Sequence, residues 1–257
     1  MKKLIAMLMI LAMIFTFAAC TTDDTNDNND NGNNENNGNN ENNGNSGDNG
    51  DGFPSTPMTY AEYVAAEIDA PVYVETYVQG HQSWWNNKIT VYCQDQNGAI
   101  FLYELACSEA DAAKLTVGTK IAVKGYKATF SGEIEIVDGT FEFVEGGDTY
   151  VAEAMDATAL LGTDQMIDHQ NKLVSFNDMT VNKIEYKNGE PGDDIYLTLD
   201  KAGASYSFCV EVYLTGPDSD VYTTVGTLKV GDVVDVTGFL YWYEGMNPHI
   251  TSITVAE

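Results

Sequence analysis

Lys114-Leu-Thr-Val-Gly-Thr-Lys-Ile-Ala-Val-Lys-Gly125 is matched 113 positions later by Thr227-Leu-Lys-Val-Gly-Asp-Val-Val-Asp-Val-Thr-Gly238. Gly132 and Gly245 continue the match at the same spacing. In both segments a Val-Gly pair precedes an alternation of apolar and polar residues, which is typical of a turn leading into a β-strand. The sequence therefore predicts two tandem copies of one structural unit of about 100 residues.

The match extends upstream, where Ile89 to Tyr103 aligns with Ile195 to Cys209 at a spacing of 106. The second copy therefore has an extra loop, which we place near Asp218–Gly226. Each copy is predicted to run strand, strand, strand, short helix, the Val-Gly segment and a closing hairpin. Three short helices are expected, over Tyr60–Glu67, over Ser108–Leu115 with Ser108 as N-cap, and over Ala154–Leu161.

This order of elements resembles the OB-fold, a five-stranded Greek-key barrel with its helix between strands three and four. The resemblance is to the OB-type domains appended to secreted bacterial nucleases and lipoproteins, and it covers Thr59 to Glu257. It implies an all-β protein with two tandem OB-fold-like barrels and short helices. The expected domains are 53–148 and 149–257, and a β-sandwich is the competing architecture.

The N-terminus indicates export. Lys2 and Lys3 precede the uncharged apolar run Leu4 to Ala19, which is too short for a stable membrane span. Cys20 follows two alanines and resembles the lipobox cysteine of bacterial lipoproteins, although Phe17 replaces the usual leucine. The resemblance implies that residues 1–20 are a signal peptide and that Cys20 is lipidated, which would anchor an extracytoplasmic protein to the cell membrane. An ordinary secretory signal is the alternative.

Residues 21–52 contain no apolar side chain and consist almost entirely of Asn, Asp, Gly, Glu, Thr and Ser. Such a segment cannot bury enough surface to offset the entropy of ordering, so we expect a disordered tether.

The charge of the chain is strongly negative. It has 39 acidic residues, 12 lysines and no arginine. From residue 53 onward 31 acidic and 10 basic residues remain, a net charge of −21. Because phosphate recognition relies on clusters of arginine and lysine, nucleic acid is expected to be an unlikely partner.

Candidate catalytic and metal-binding groups are sparse. The chain has three histidines, and none lies in a nucleophile motif or has the spacing of a zinc ligand. Cys93, Cys107 and Cys209 are predicted to be small buried thiols, with a Cys93–Cys107 bridge as the alternative. We therefore expect a non-enzymatic protein with no metal and no cofactor.

The candidate ligand site follows from the resemblance, because OB-folds bind on the face of strands two and three and on the loops beside it. Aromatic rings with neighbouring amides suit sugar rings, peptides or stacked bases. The alternative is that these aromatic residues close the barrel ends or pack the two domains together. The candidate residues in the two loops are Trp84, Trp85 and Asn86 in the first copy, and Tyr241, Trp242 and Tyr243 in the second.

Three functional hypotheses follow. The first is a membrane-anchored module that binds an extracellular carbohydrate, peptide or protein. The second is an extracellular OB protein that binds single-stranded nucleic acid. The third is a structural spacer or assembly subunit of the cell envelope, with its tryptophans between the barrels.

Overall fold

The computed structural model describes residues 52–256. The predicted signal peptide, the lipidation site Cys20 and the predicted tether up to residue 51 lie outside the described residues. These described residues form one compact unit that contains both repeats.

The first repeat folds into a closed five-stranded barrel, called barrel 1 here, with the strand order β1-β2-β3-β5-β4. Strands β3 and β5 are parallel, and the other neighbouring strands are antiparallel. Helix α2 lies between the third and fourth strands, where the OB-fold places its helix. The elements are α1 (Tyr60–Ala65), β1 (Pro71–His81), β2 (Lys88–Gln94), β3 (Ala99–Ala106), α2 (Glu109–Ala112), β4 (Lys120–Phe130) and β5 (Glu133–Phe143).

The second repeat has the same connectivity and is called barrel 2. Its sheet has six strands in the order β10-β11-β9-β8-β7-β6, in which the two-residue β6 lies parallel to β7. An additional pairing of β10 with β7 joins the ends of the other five strands. The all-β prediction with two tandem five-stranded OB-like barrels is therefore confirmed. The elements are β6 (Met155–Asp156), β7 (Leu173–Tyr186), β8 (Ile195–Lys201), β9 (Ala204–Val210), α3 (Val212–Thr215), α4 (Asp220–Val225), β10 (Val233–Phe239) and β11 (His249–Val255), with 3₁₀ helices at Thr158–Leu160 and Asp164–His169.

The Val-Gly turns begin the fourth strand of each barrel. Gly118 and Gly231 have φ angles of +88° and +98°, in the left-handed region that a side chain disfavours. The Gly118 amide donates to the Val78 carbonyl, and the Gly231 amide donates to the Val181 carbonyl, both at 2.8 Å. The repeated motif thus ties the start of the fourth strand to the first strand in the same way in both copies.

The helix predicted over Ala154–Leu161 is wrong. The backbone of this segment pairs with β7 instead, since the Ala157 amide donates to the Ser175 carbonyl at 2.9 Å. The Asp156 carboxylate accepts from the Thr158 amide at 2.9 Å and starts a single 3₁₀ turn. Sheet pairing therefore takes the backbone groups that a longer helix would need.

Each barrel encloses its own apolar core. Val72, Leu102 and Ile121 belong to the core of barrel 1, whereas Phe176 and Phe208 belong to that of barrel 2. No helix among residues 52–256 is long and apolar enough to cross a membrane.

A third apolar cluster joins the barrels. Tyr92 on β2 and Phe101 on β3 point away from the core of barrel 1, yet each is no more than 2% exposed. They pack against Phe239 on β10, with Leu173, Leu214 and Tyr241 of barrel 2 around them. Barrel 2 therefore covers the middle of the outer β2–β3 face of barrel 1.

Candidate ligand-binding cleft

The contact between the barrels is built from stacked rings. The Tyr92 and Phe239 rings are parallel with centroids 4.4 Å apart, and Phe101 meets Tyr241 edge-on at 5.3 Å. Tyr241 stacks in turn on His249 at 4.4 Å. Aromatic contacts of this kind bury large areas and fix ring orientation, so they hold the two barrels in one arrangement.

Hydrogen bonds reinforce this contact. Tyr92 Oη and His249 Nδ1 share a hydrogen bond of 2.6 Å, and Gln94 Oε1 accepts from the Leu173 amide at 2.8 Å. Burial raises the pKa of Tyr92 well above its ordinary value, so its hydroxyl remains protonated. The covered part of the β2–β3 face is therefore a permanent contact between the barrels.

The uncovered end of the same face forms a cleft of about 490 Å³, called the aromatic cleft here. Barrel 1 supplies the loop between β1 and β2 and the adjoining ends of β2 and β3, while barrel 2 supplies one wall. Trp85, Tyr213 and Tyr103 are 79%, 59% and 43% exposed, so three aromatic rings reach solvent in one cleft. The residues lining it are Gln82, Ser83, Trp85, Asn86, Lys88, Ile89, Thr90, Tyr103, Glu104, Glu211 and Tyr213.

A tight turn projects Trp85 into solvent. The backbones of Trp85 and Lys88 exchange two hydrogen bonds, of 3.1 and 2.9 Å. Asn86 and Asn87 between them have φ angles of +50° and +60°, both positive as a type I′ hairpin turn requires. Asparagine tolerates this conformation better than most residues, so the Asn-Asn pair accounts for the position of the indole.

The wall from barrel 2 is tied to the loop. The Ser83 amide donates to the Tyr213 carbonyl at 2.7 Å, and Gln82 Nε2 donates to Glu211 Oε1 at 2.7 Å. Glu211 Oε2 lies 3.4 Å from His249 Nδ1. The cleft therefore depends on both barrels, and its walls are held in place before any ligand binds.

Charged groups at the cleft are few and mostly paired. Lys88 Nζ lies 2.6 Å from Glu104 Oε2, with both side chains about half exposed. The hydrogen bond to Glu104 raises the pKa of Lys88. An exposed pair of this kind contributes little to stability, so its more important effect is to reduce the positive charge available to a ligand.

The six candidate aromatic and amide residues do not form one site. Trp85 and Asn86 line the aromatic cleft. Trp84 instead packs against the core of barrel 1, and its indole donates to the Cys107 carbonyl at 2.9 Å. Since neighbouring residues of an extended segment point to opposite sides, only one of the two tryptophans reaches solvent.

The three candidates from barrel 2 lie elsewhere. Tyr241 belongs to the contact between the barrels, and Trp242 packs against the core of barrel 2 and over Gly132 of barrel 1. Tyr243 is 49% exposed beside Phe130, at a centroid distance of 6.0 Å. The positions of Tyr241 and Trp242 are those that the structural hypothesis expects for residues between barrels. Their role in ligand binding stays a prediction.

Two aromatic residues of the cleft were not predicted. Tyr103 follows Phe101 by two positions on β3, so strand alternation already placed it on the outer face. Tyr213 lies in the four-residue helix α3, and no sequence pattern indicated that this helix would reach the other barrel.

Cysteine reactivity and metal binding add little to the chemistry of the candidate site. The three cysteines within the described range, Cys93, Cys107 and Cys209, are free and buried. Desolvation raises the pKa of each thiol, which disfavours the reactive thiolate. Within residues 52–256 no group of three or more His, Cys, Asp or Glu side chains is placed to hold a metal ion.

No protein-family model and no curated protein matches this sequence. Solved structures do match. One is a murine DNA-binding protein bound to double-stranded DNA, with 13% identity, a TM-score of 0.36 and coverage of 72% of this chain and 95% of that one. The Ifi202 HINa domain in complex with 20-bp double-stranded DNA has 11% identity and a TM-score of 0.34, and the match covers 73% of this chain and 98% of that one. A Replication Protein A heterotrimer bound to single-stranded DNA has 12% identity and a TM-score of 0.30, and the match covers 72% of this chain and 48% of that one.

These neighbours correct one expectation. The net charge led us to treat nucleic acid as an unlikely partner, and the DNA-bound structures among the neighbours contradict that expectation. The physical reason is that net charge describes the whole surface, whereas a ligand meets only one part of it. At these identities and TM-scores the likeness concerns the general fold and assigns no ligand to this chain.

Proposed function

We propose that this protein is a non-enzymatic, membrane-anchored extracytoplasmic binding module, and that its aromatic cleft binds single-stranded nucleic acid by stacking bases on Trp85, Tyr103 and Tyr213. The observation that carries the proposal is the presence of three exposed rings in one cleft. The cleft lies at the uncovered end of the face where OB-folds bind oligonucleotides and oligosaccharides.

The charges of the cleft specify how this binding would work. Lys88 is its one lysine, and Glu104 already pairs with it. Affinity would therefore come from stacking, which contributes about 1–3 kcal/mol per base, and not from phosphate contacts. Because Lys88 is the one cation of the cleft that could reach a phosphate, the logarithm of the affinity should fall only weakly with that of the salt concentration, with a slope no steeper than about −0.7.

A second candidate ligand is an oligosaccharide. Gln82, Asn86 and Glu104 lie among the three rings and offer amide and carboxylate groups suited to sugar hydroxyls. Sugar rings also stack on exposed aromatic faces, but they carry no phosphate, so their binding should not depend on salt.

The test measures binding of the full chain to labelled ten-base homopolymers by fluorescence anisotropy at two salt concentrations, with a glycan array alongside. Trp85→Ala should weaken the binding about tenfold or more. Tyr243→Ala is the matched control, because Tyr243 is also an exposed ring but lies outside the cleft, and it should bind normally. A sugar hit lost in Trp85→Ala would replace the nucleic-acid proposal. No binding of either ligand class, or equal losses in both variants, would refute the assignment of the cleft.

The membrane anchor is tested separately. Cells that express the full chain and are fed an alkyne-tagged fatty acid should label the protein, and Cys20→Ser should abolish both the label and the recovery of the protein in the membrane fraction. Unchanged labelling in Cys20→Ser would refute the anchor and leave the proposal for the cleft untouched.

A further inference from the structure

Strand β3 contains a bulge where it reaches the aromatic cleft. The register of β2 against β3 shifts between Ile89 and Val91, so Thr90 lies opposite two residues of β3. These two residues are Tyr103 and Glu104, and both are exposed. Glu104 has a left-handed φ angle of +48°, and its amide donates to the Thr90 hydroxyl oxygen at 3.2 Å. In a regular strand two successive side chains would point to opposite faces, so the bulge is what brings both to the cleft.

Barrel 2 has no bulge at the corresponding place. Its strands β8 and β9 pair without a shift, and Ile195 pairs with Val210. At the spacing of 106 these two residues correspond to Ile89 and Glu104. In barrel 1, however, Ile89 pairs with Leu105, one residue further along the strand. Since barrel 2 forms without the extra residue, the fold does not require it, and a strained residue in a cleft suggests a role in binding.

The bulge carries a carboxylate to an ammonium group. Glu104 Oε2 lies 2.6 Å from Lys88 Nζ, and the two side chains are 45% and 52% exposed. Trp85 lies opposite Lys88 across the Asn-Asn turn, so their side chains share a face. A carboxylate can accept about four hydrogen bonds and an ammonium can donate three, so this pairing leaves both groups able to bind a ligand. The cleft therefore offers an acceptor and a donor side by side, next to exposed rings.

We propose that the aromatic cleft selects guanine among the bases of a bound strand, with the Glu104 carboxylate accepting from guanine N1–H and N2–H and Lys88 donating to guanine O6. This selection presupposes that the cleft binds single-stranded nucleic acid, as proposed for it. The Watson–Crick edge of guanine has two adjacent donors beside one acceptor, which matches a carboxylate beside an ammonium. Adenine, cytosine and thymine each offer a single donor group on that edge, so they would engage only one carboxylate oxygen.

The charges of the cleft agree with contacts to a base edge. A base is neutral, whereas a phosphate carries a negative charge that the Glu104 carboxylate would repel. The ion pair therefore favours a strand that turns its bases toward Lys88 and Glu104 and keeps its phosphates away from them. Hydrogen bonds from guanine would be charge-assisted, because the acceptor is an ionised carboxylate.

The test measures binding of the full chain by fluorescence anisotropy to labelled ten-base thymine strands that carry one central guanine or one central hypoxanthine. Hypoxanthine differs from guanine only in lacking the 2-amino group. The guanine strand should bind about fivefold or more tightly than the hypoxanthine strand, as expected for a two-donor contact. Glu104→Gln keeps the shape of the side chain and replaces one acceptor oxygen by a donor, so it should remove this preference.

Two further variants separate recognition from folding. Glu104→Gly removes the carboxylate and relieves the left-handed strain, so it should lose the preference for guanine while unfolding at about the same urea concentration as the wild type. Glu185→Gln is the matched control, because Glu185 pairs with Lys183 at 2.7 Å and is 55% exposed, but lies on β7 outside the cleft. It should keep the preference.

The outcomes distinguish this selection from the binding of nucleic acid itself. Equal binding of the guanine and hypoxanthine strands by the wild type, or a preference that persists in both Glu104 variants, would overturn the selection of guanine. If such equal binding were still lost in Trp85→Ala, the proposed function would stand without it. An absence of binding to every strand would overturn both.

Discussion

Substituting Glu133 with glutamine removes the charge of a fully buried carboxylate and keeps its shape. The side chain is 0% exposed, and its Oε2 accepts a hydrogen bond of 2.8 Å from the Trp242 amide. Glutamine retains an oxygen acceptor for that amide. The substitution therefore tests what the negative charge itself does to stability.

The effect of Glu133 on the free energy of unfolding depends on pH, and its sign follows from the raised pKa of this carboxyl. Burial raises the pKa of Glu133 from 4.5 to about 8, outweighing the hydrogen bonds from Asn171 and Trp242 that lower it. Between these values the unfolded chain has released the proton while the folded chain still holds it. Stability therefore falls as pH rises through this window, by about 1.4 kcal/mol per pH unit, and the loss is complete above pH 8.

Glu133→Gln removes this loss. The variant should match the wild type at pH 4, where Glu133 of the wild type is protonated in both the folded and the unfolded state. Above pH 8 it should be more stable by up to about 5 kcal/mol. Glu135, whose pKa is raised to about 6, destabilises the protein in the same direction between pH 4.5 and 6, but it is present in both proteins. The difference between the two proteins therefore reports Glu133 together with its repulsion from Glu135, which also raises the pKa of Glu133.

The assay is urea denaturation of both proteins at pH 4, 6.5 and 8.5, followed by circular dichroism. Glu142→Gln, at an exposed position on the same strand, controls for net charge and should change stability by less than about 0.5 kcal/mol at every pH. A difference between Glu133→Gln and wild type that is the same at all three pH values, or that reverses above pH 8, would refute the reasoning.

Other substitutions test the packing. Trp84→Ala should cost about 3 kcal/mol in thermal or urea denaturation, because the half-buried Trp84 packs against the core of barrel 1. Trp85→Ala should cost less than about 0.5 kcal/mol, because Trp85 is 79% exposed, and equal costs would contradict the turn geometry. Tyr92→Phe should cost about 1–3 kcal/mol because it leaves His249 Nδ1 without its 2.6 Å partner, and a neutral result would show that this hydrogen bond contributes nothing to the contact between the barrels. Gly238→Ala should prevent normal folding or destabilise the protein by several kcal/mol, since its Cβ would overlap the His249 carbonyl; Gly147→Ala, whose nearest neighbour is the flexible Lys120 side chain at 3.2 Å, should be tolerated in the same melting experiment.

Local sequence signals predicted the fold because the OB-like barrel is specified locally in each copy. Ser108 caps α2 as expected, with its hydroxyl accepting from the Asp111 amide at 3.1 Å. Gly118 and Gly231 adopt the left-handed conformation that their place before a strand suggested. The segment before β7 was harder to predict, because its backbone pairs with residues of β7 that lie 19 positions further along the chain and not with itself.

The site was only partly predictable. The sequence placed Trp85 and Asn86 in a loop that adjoins the ligand face, and the structure finds both in the aromatic cleft. Alternation along a strand also indicates which side chains leave the barrel core. It does not distinguish a side chain that faces solvent from one that faces a second domain, and Tyr92 and Phe101 are of the second kind.

Comparison of the two copies shows why the outer face of strands two and three is covered by the other barrel in barrel 1 and not in barrel 2. At the spacing of 106, Tyr92 corresponds to Thr198 and Phe101 corresponds to Ser207. Burying two hydroxyl-bearing side chains against another barrel would gain little apolar contact and would remove their hydrogen bonds to water. The outer face of barrel 2 is therefore suited to solvent, while that of barrel 1 is suited to a neighbour. Barrel 2 covers only the part of that face around Tyr92 and Phe101, so the part around Tyr103 stays open, and the wall carrying Tyr213 turns this remainder into the aromatic cleft.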